Sequence, residues 1–142
     1  MNEVLSGTYH GKTYRLKVEC YSKTAEIKVQ LLPTDGSDRI TITQNLGQPM
    51  PFYQAFLADG ILAPGDDSFM DLMERNGLGH IVDYKRYNYD VVYDQYRDLA
   101  AVFQFNRAAL RSFHAAGCAR YETQSARLKR RLAERRARRM AG

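Results

Sequence analysis

A chain of 142 residues, 44% hydrophobic and 26% charged, holds enough apolar material for one buried core and has too little net charge for a disordered polyelectrolyte. No run approaches the roughly 18–20 apolar residues of a membrane span, and Met1–Ser6 offers neither a basic nor an apolar stretch of the secretory kind, so a cytoplasmic chain is expected. The formal net charge of +5 is uneven: residues 120–142 carry nine Lys or Arg against two Glu, a net of +7, which leaves −2 for the 119 residues before them.

The first 46 residues read as hairpins. Tyr14, Leu16, Val18 and Cys20 alternate with polar neighbours, as do Ala25, Ile27, Val29 and Leu31, the period of two that marks half-buried strands. Ser22-Lys23 turns between them, so the two strands should pair antiparallel. Val4–Tyr9 reads as an earlier strand ended by His10-Gly11, and Arg39–Gln44 as a later one after the Pro33–Ser37 loop. Pro49 and Pro51 mark a connector, and Phe52–Ala58 is a short apolar segment that we assign to a strand. Pro64-Gly65-Asp66-Asp67-Ser68 starts a helix with carboxylates at its dipole-favoured end; Phe69, Leu72 and Met73 share one face, and Asn76-Gly77 stops it. His80–Tyr96 is tyrosine-rich and β-branched, one or two strands closing the sheet. From Asp98 the spacing suggests a helix with Leu99, Val102, Phe103, Leu110 and Phe113 on one face; Gly117 either caps or weakens it. Beyond Gly117 the apolar stripe thins to Tyr121, Leu128, Leu132 and Met140, so that stretch needs a partner or frays.

The expected fold class is therefore α+β: an antiparallel β-meander of about five or six strands, a short helix over 67–76 and a long C-terminal helix. Residues 1–98 form the β-rich part, and residues 99–142 form the helical segment that ends in a basic arm, in one globular domain overall.

Thr41-Ile42-Thr43-Gln44-Asn45-Leu46, the Asn76-Gly77-Leu78-Gly79 turn after a short helix, and the strand ending Val92-Tyr93-Asp94-Gln95-Tyr96 give the chain a resemblance. Over roughly residues 8–98 it resembles a family of small proteins of unknown function carried by plasmids, conjugative elements and phages. The resemblance implies an accessory protein of a mobile genetic element. Many such proteins block host defences, restriction and CRISPR systems among them, by binding. It implies no activity, and the basic tail lies outside it.

Catalytic signatures are weak. His10, His80 and His114 show no metal-type spacing, and Cys20 and Cys118 are far apart, so we expect reduced thiols, no metal and no cofactor. Asp66, Asp67, Asp71 and Glu74 could serve a two-metal nuclease, but stabilisation of a helix start explains them more simply. His114 and Cys118 stand four apart with no third group to orient the histidine. No catalytic residue is assigned.

Binding is the better expectation. Arg127, Arg131, Arg135 and Arg138 fall at i, i+4, i+8 and i+11 of a helix, flanked by Lys129, Arg130, Arg136 and Arg139. Guanidinium groups so spaced neutralise phosphates, and Gln124 alone in that stretch is of the amide type that reads bases, so nucleic-acid contact should be sequence-nonspecific. An acidic protein surface, a nucleoprotein machine or a second copy of the chain would also suit the arm; a membrane would not be its partner. Tyr87, Tyr89, Val91 and Tyr93 form a second candidate surface by alternation: exposed, they would be an interface or stacking platform; packed, they would fill the sheet, which is the favoured reading because a small sheet needs large side chains.

Overall fold

The computed structural model describes residues 3–141. It has two antiparallel sheets, a short helix and a long C-terminal helix, an α+β architecture. Strands β1 (Tyr14–Cys20) and β2 (Ile27–Pro33) pair antiparallel, Cys20 opposite Ile27 at the turn end and Tyr14 opposite Pro33 at the other. Their alternation buries Tyr14, Leu16, Val18, Ile27, Val29 and Leu31 as the sequence period requires. The stretch read as a fourth strand divides: β3 (Ile40–Thr41) pairs with β2, and β4 (Thr43–Gln44) pairs with β5 (Gln54–Leu57) of the second sheet. Ile42 sits between and joins the sheets, its N–H donating to Val29 (3.0 Å) and its carbonyl accepting from Ala58 (2.8 Å). Its side chain is fully buried where the two sheets meet.

Helix α1 (Ser68–Arg75) buries Phe69, Leu72 and Met73. Its start is held by Asp66, whose carboxylate accepts the Ser68 N–H (2.9 Å), while Asp67 makes no capping bond. Its end is a Schellman turn: Leu78 N–H reaches Met73 O (2.9 Å), Gly77 N–H reaches Glu74 O (3.0 Å), and Gly77 takes φ +62°. Asn76 turns back to Ser6, accepting its N–H and donating to its carbonyl. The segment Val4–Tyr9 is therefore tied down without being a strand; it makes only the isolated bridges Val4–Arg15 and Tyr9–Lys12.

The change to helix expected at Asp98 falls at Arg107. Leu99, Val102 and Phe103 belong to β7 (Gln95–Phe105), which pairs with both β5 and β6 (Gly79–Asp90). A strand covered on both faces reads as a continuous apolar run, and such a run contains helical spacings by chance. One face of β7, with Ala101, Phe103 and Phe105, joins the main core; the other, with Ala100 and Val102, packs under Met50 and Phe56. The β-rich part thus reaches Phe105, and residues 99–105 are not helical. Helix α2 (Arg107–Ala141) follows and lies along the outer edge of β1.

Candidate binding surfaces

The root of the arm is built by the first half of α2. The helix is broken once, at His114 (φ −150°, ψ 73°). There Nδ1 accepts the Val18 N–H at 2.9 Å, the outward-facing donor of an edge strand. Gly117 follows on the same side: a Cβ there would lie 2.2 Å from the Val18 carbonyl oxygen and 2.4 Å from His114 Nδ1. Gly117 is therefore neither a cap nor a flaw; it lets helix and strand backbones touch. Arg107, before the break, pairs with Glu122, after it (Nη2–Oε1 3.0 Å), which braces the two helical segments. The Tyr53 hydroxyl donates to the other oxygen of Glu122 (2.8 Å), and Tyr53 N–H donates to the buried Tyr121 hydroxyl (3.0 Å). Burial first, then the Glu122 contact, pushes the Tyr53 phenol upward; burial pushes Tyr121 up to about 12. These phenols stay protonated and act as struts.

His114 and Cys118 are not arranged as a nucleophile and its base. The imidazole Nδ1 is engaged by Val18, and burial raises the Cys118 thiol above its ordinary value, disfavouring the thiolate. Cys20 is likewise pushed up, to about 11, by burial and then Glu26. Among the described residues, no three His, Cys, Asp or Glu side chains are grouped to hold a metal ion. The Asp66 carboxylate is held below its usual range by hydrogen bonds from Ser68, as a turn residue would be.

Past Leu128 the helix leaves the body. Lys129 is the last side chain anchored, with Nζ 4.5 Å above the ring of Phe52. Residues 129–141 are exposed throughout, with seven Lys or Arg against one Glu, a net of +6. Arg127, Arg131, Arg135 and Arg138 lie within an arc of about 80° at 100° per residue, and Arg130 and Arg139 flank them. Lys129 and Arg136 fall on the opposite side, so the eight expected cations do not converge on one face. Arg127 and Arg131 line a groove of about 300 Å³ with Tyr21, Ser22 and Gln124, at the point where the arm meets the β1–β2 turn. A larger cleft, about 680 Å³, opens between Phe52, His80, Gln104 and Arg107.

The tyrosines are not core. β6 and β7 continue past the sheet as a two-stranded ribbon, with a bulge at Val82 and a turn over 91–94. Eight of the twelve large apolar side chains exposed among the described residues lie on it: Val82, Tyr84, Tyr89, Val91, Val92, Tyr93, Tyr96 and Leu99. Val92 and Tyr93 at the tip are 85% and 72% exposed. Tyr87 alone of the ribbon's tyrosines is half-buried, against the Phe56 cluster. Because β6 ends at Asp90, Val91 and Tyr93 belong to the turn and do not continue the face of Tyr87 and Tyr89. The signal was present in the sequence. Asp83, Asn88, Asp90, Asp94 and Asp98 put polar groups on both faces, and Asp90, whose carboxylate accepts the Val92 N–H (2.9 Å), makes a turn without glycine or proline.

No helix among the described residues is long and apolar enough to cross a membrane. Comparison of the chain with protein-family models, with curated proteins and with solved structures gives no match in any of the three.

Proposed function

We propose that this chain is a binding protein with no catalytic step of its own, which engages nucleic acid or a nucleoprotein complex through the basic end of α2. The observation that carries this reading is the arm itself: a helix leaving a nearly neutral body, exposed on every side from residue 129, with a net charge of +6. A row of arginines along one arc can track a phosphate backbone, and release of condensed counterions supplies the affinity. The exposed arm offers nothing that reads base edges, so binding is sequence-nonspecific. The resemblance over residues 8–98 adds a context, an accessory protein of a mobile element that blocks a host-defence nucleoprotein by occupying it.

The test is a salt titration of fluorescence anisotropy with an unrelated duplex and an unrelated single strand. Engagement of four to five phosphates gives a log–log slope of roughly −4. The full-length Arg131→Gln/Arg135→Gln/Arg138→Gln variant flattens that slope by about one per arginine removed. Absence of binding at low salt overturns the reading. The exposed ribbon favours a second reading, protein–protein recognition, because apolar patches of this kind mark contact sites.

A further inference from the structure

The ribbon has two different faces. Along β7, Val102, Ala100, Asp98 and Tyr96 alternate onto one side. Met50 and Phe56 cover the first two. Farther out the face is open, with Tyr87 opposite Asp98 and Tyr89 opposite Tyr96, and the last two rings meet edge to face at 5.1 Å. Three carboxylates border these rings. Asp59 accepts from the Tyr87 hydroxyl (2.8 Å), Asp98 from Asn88 (2.6 Å) and Asp94 from the Tyr89 hydroxyl. Asp59 also accepts from Gln44 Nε2 (3.1 Å), and all of these donors are neutral side chains. Lys85, opposite Ala100, is the cation that the strand register puts on this side, while Arg86 lies on the other with Leu99.

Tyrosine faces edged by fixed carboxylates suit guanidinium groups, which stack on rings and fork onto carboxylates. The same carboxylates repel phosphate, so nucleic acid is the wrong occupant. The complementary surface is on this chain. Arg131, Arg135 and Arg138 span about 10 Å of helix, against about 13 Å for the four residue steps from Asp98 to Asp94. Both surfaces are exposed in one molecule, so neither satisfies the other internally.

We infer that the chain self-associates by laying the arginine row of α2 from one copy on the tyrosine–aspartate face of the ribbon in a second copy, reciprocally about a twofold axis. An arm about 20 Å long on one ribbon buries on the order of 600 Å² in total, the size of an adventitious contact. Two reciprocal contacts reach about 1,200 Å², where specific but weak interfaces begin. The inference goes beyond the nucleic-acid reading and does not depend on it.

The experiment is sedimentation velocity on the full-length chain without nucleic acid, over about 5–500 µM protein and at about 0.05 and 0.5 M salt. Dimer is expected at low salt, weakened at least tenfold at high salt. Arg131→Gln/Arg135→Gln/Arg138→Gln and Asp59→Asn/Asp94→Asn/Asp98→Asn should each weaken it at least tenfold with an unchanged circular dichroism spectrum, since every altered side chain is exposed. Mixing the two variants restores one intact arm-on-face contact, so labelled chains should associate with each other more tightly than either variant does with itself. A native chain that stays monomeric throughout overturns the inference. So does a dimer that either variant leaves intact. Duplex binding by the Asp→Asn variant is read separately and reports on the arm alone, so failure of one reading is distinguishable from failure of the other.

Discussion

Two residues decide how α2 meets the sheet. Helix propensity predicts that Gly117→Ala stabilises an exposed helix by up to about 1 kcal/mol. The contact with the Val18 carbonyl predicts the opposite, because a methyl group at 2.2 Å from backbone oxygen forces helix and strand apart. Gly117→Ala should therefore destabilise by about 3 kcal/mol, the upper part of the overpacking range, and chemical denaturation reads the sign directly. His114 makes a second test. Its Nδ1 must be unprotonated to accept the Val18 N–H, and burial, with Arg120 and Lys17 nearby, holds the ring below its ordinary pKa; Glu19 opposes this. The unfolded chain takes up the proton near pH 6.5 while the folded chain still refuses it. Stability is thus fully present above about pH 6.5 and falls as the pH drops toward the folded value. His114→Leu should lose about 1–3 kcal/mol at pH 7.5 by orphaning a buried donor, and should also lose this part of the acid slope in melts between about pH 6.5 and 5. The spacing of His114 and Cys118 is legible in the sequence; the strand edge that His114 serves is not, because it lies 96 residues away.

At the scale of elements, the ribbon and the arm are alike in having no core of their own. The arm continues a helix already nucleated by the body, so it avoids the cost of a first turn. Against that, Arg127, Arg131, Arg135 and Arg139 repel at i, i+4 spacing, and Arg138–Glu134 is an exposed pair at 3.9 Å. For the monomer, at protein concentrations too low for self-association, the expected outcome is a gradient: amides of residues 115–128 exchange slowly, while those of 131–141 exchange within about tenfold of the unstructured rate in low salt and gain protection in high salt or with a polyanion. Hydrogen-exchange mass spectrometry checks this, and uniform protection along α2 would contradict it. The arm is legible in the amino-acid order because charge periodicity is a local property. The ribbon's alternation correctly marks strands but misleads about packing, since it shows which side chains share a face and not whether anything covers that face.

At the scale of the molecule, one strand position ties the two sheets and one ribbon escapes them. Ile42 is bonded to both sheets and fully buried between them, so Ile42→Ala should cost about 3 kcal/mol, within the range for a buried large-to-small change. Unfolding should remain a single transition, because neither sheet buries its inner face alone. By contrast, Val91→Ser/Val92→Ser/Tyr93→Ser at the ribbon tip should leave stability within about 0.5 kcal/mol, and calorimetry on both variants makes the comparison. The hairpin strands, the short helix with its Asn-Gly stop and the separation of a basic end from a near-neutral body are all written in the amino-acid order. Each of these rests on period, turn chemistry or charge among near neighbours. That residues 40–44 serve two sheets, that residues 99–105 are strand, that Gly117 is a point of backbone contact and that most of the ribbon's tyrosines face outward emerge only when the chain is folded. Those outcomes depend on which distant segments exclude water from a given face, and no local pattern carries that information.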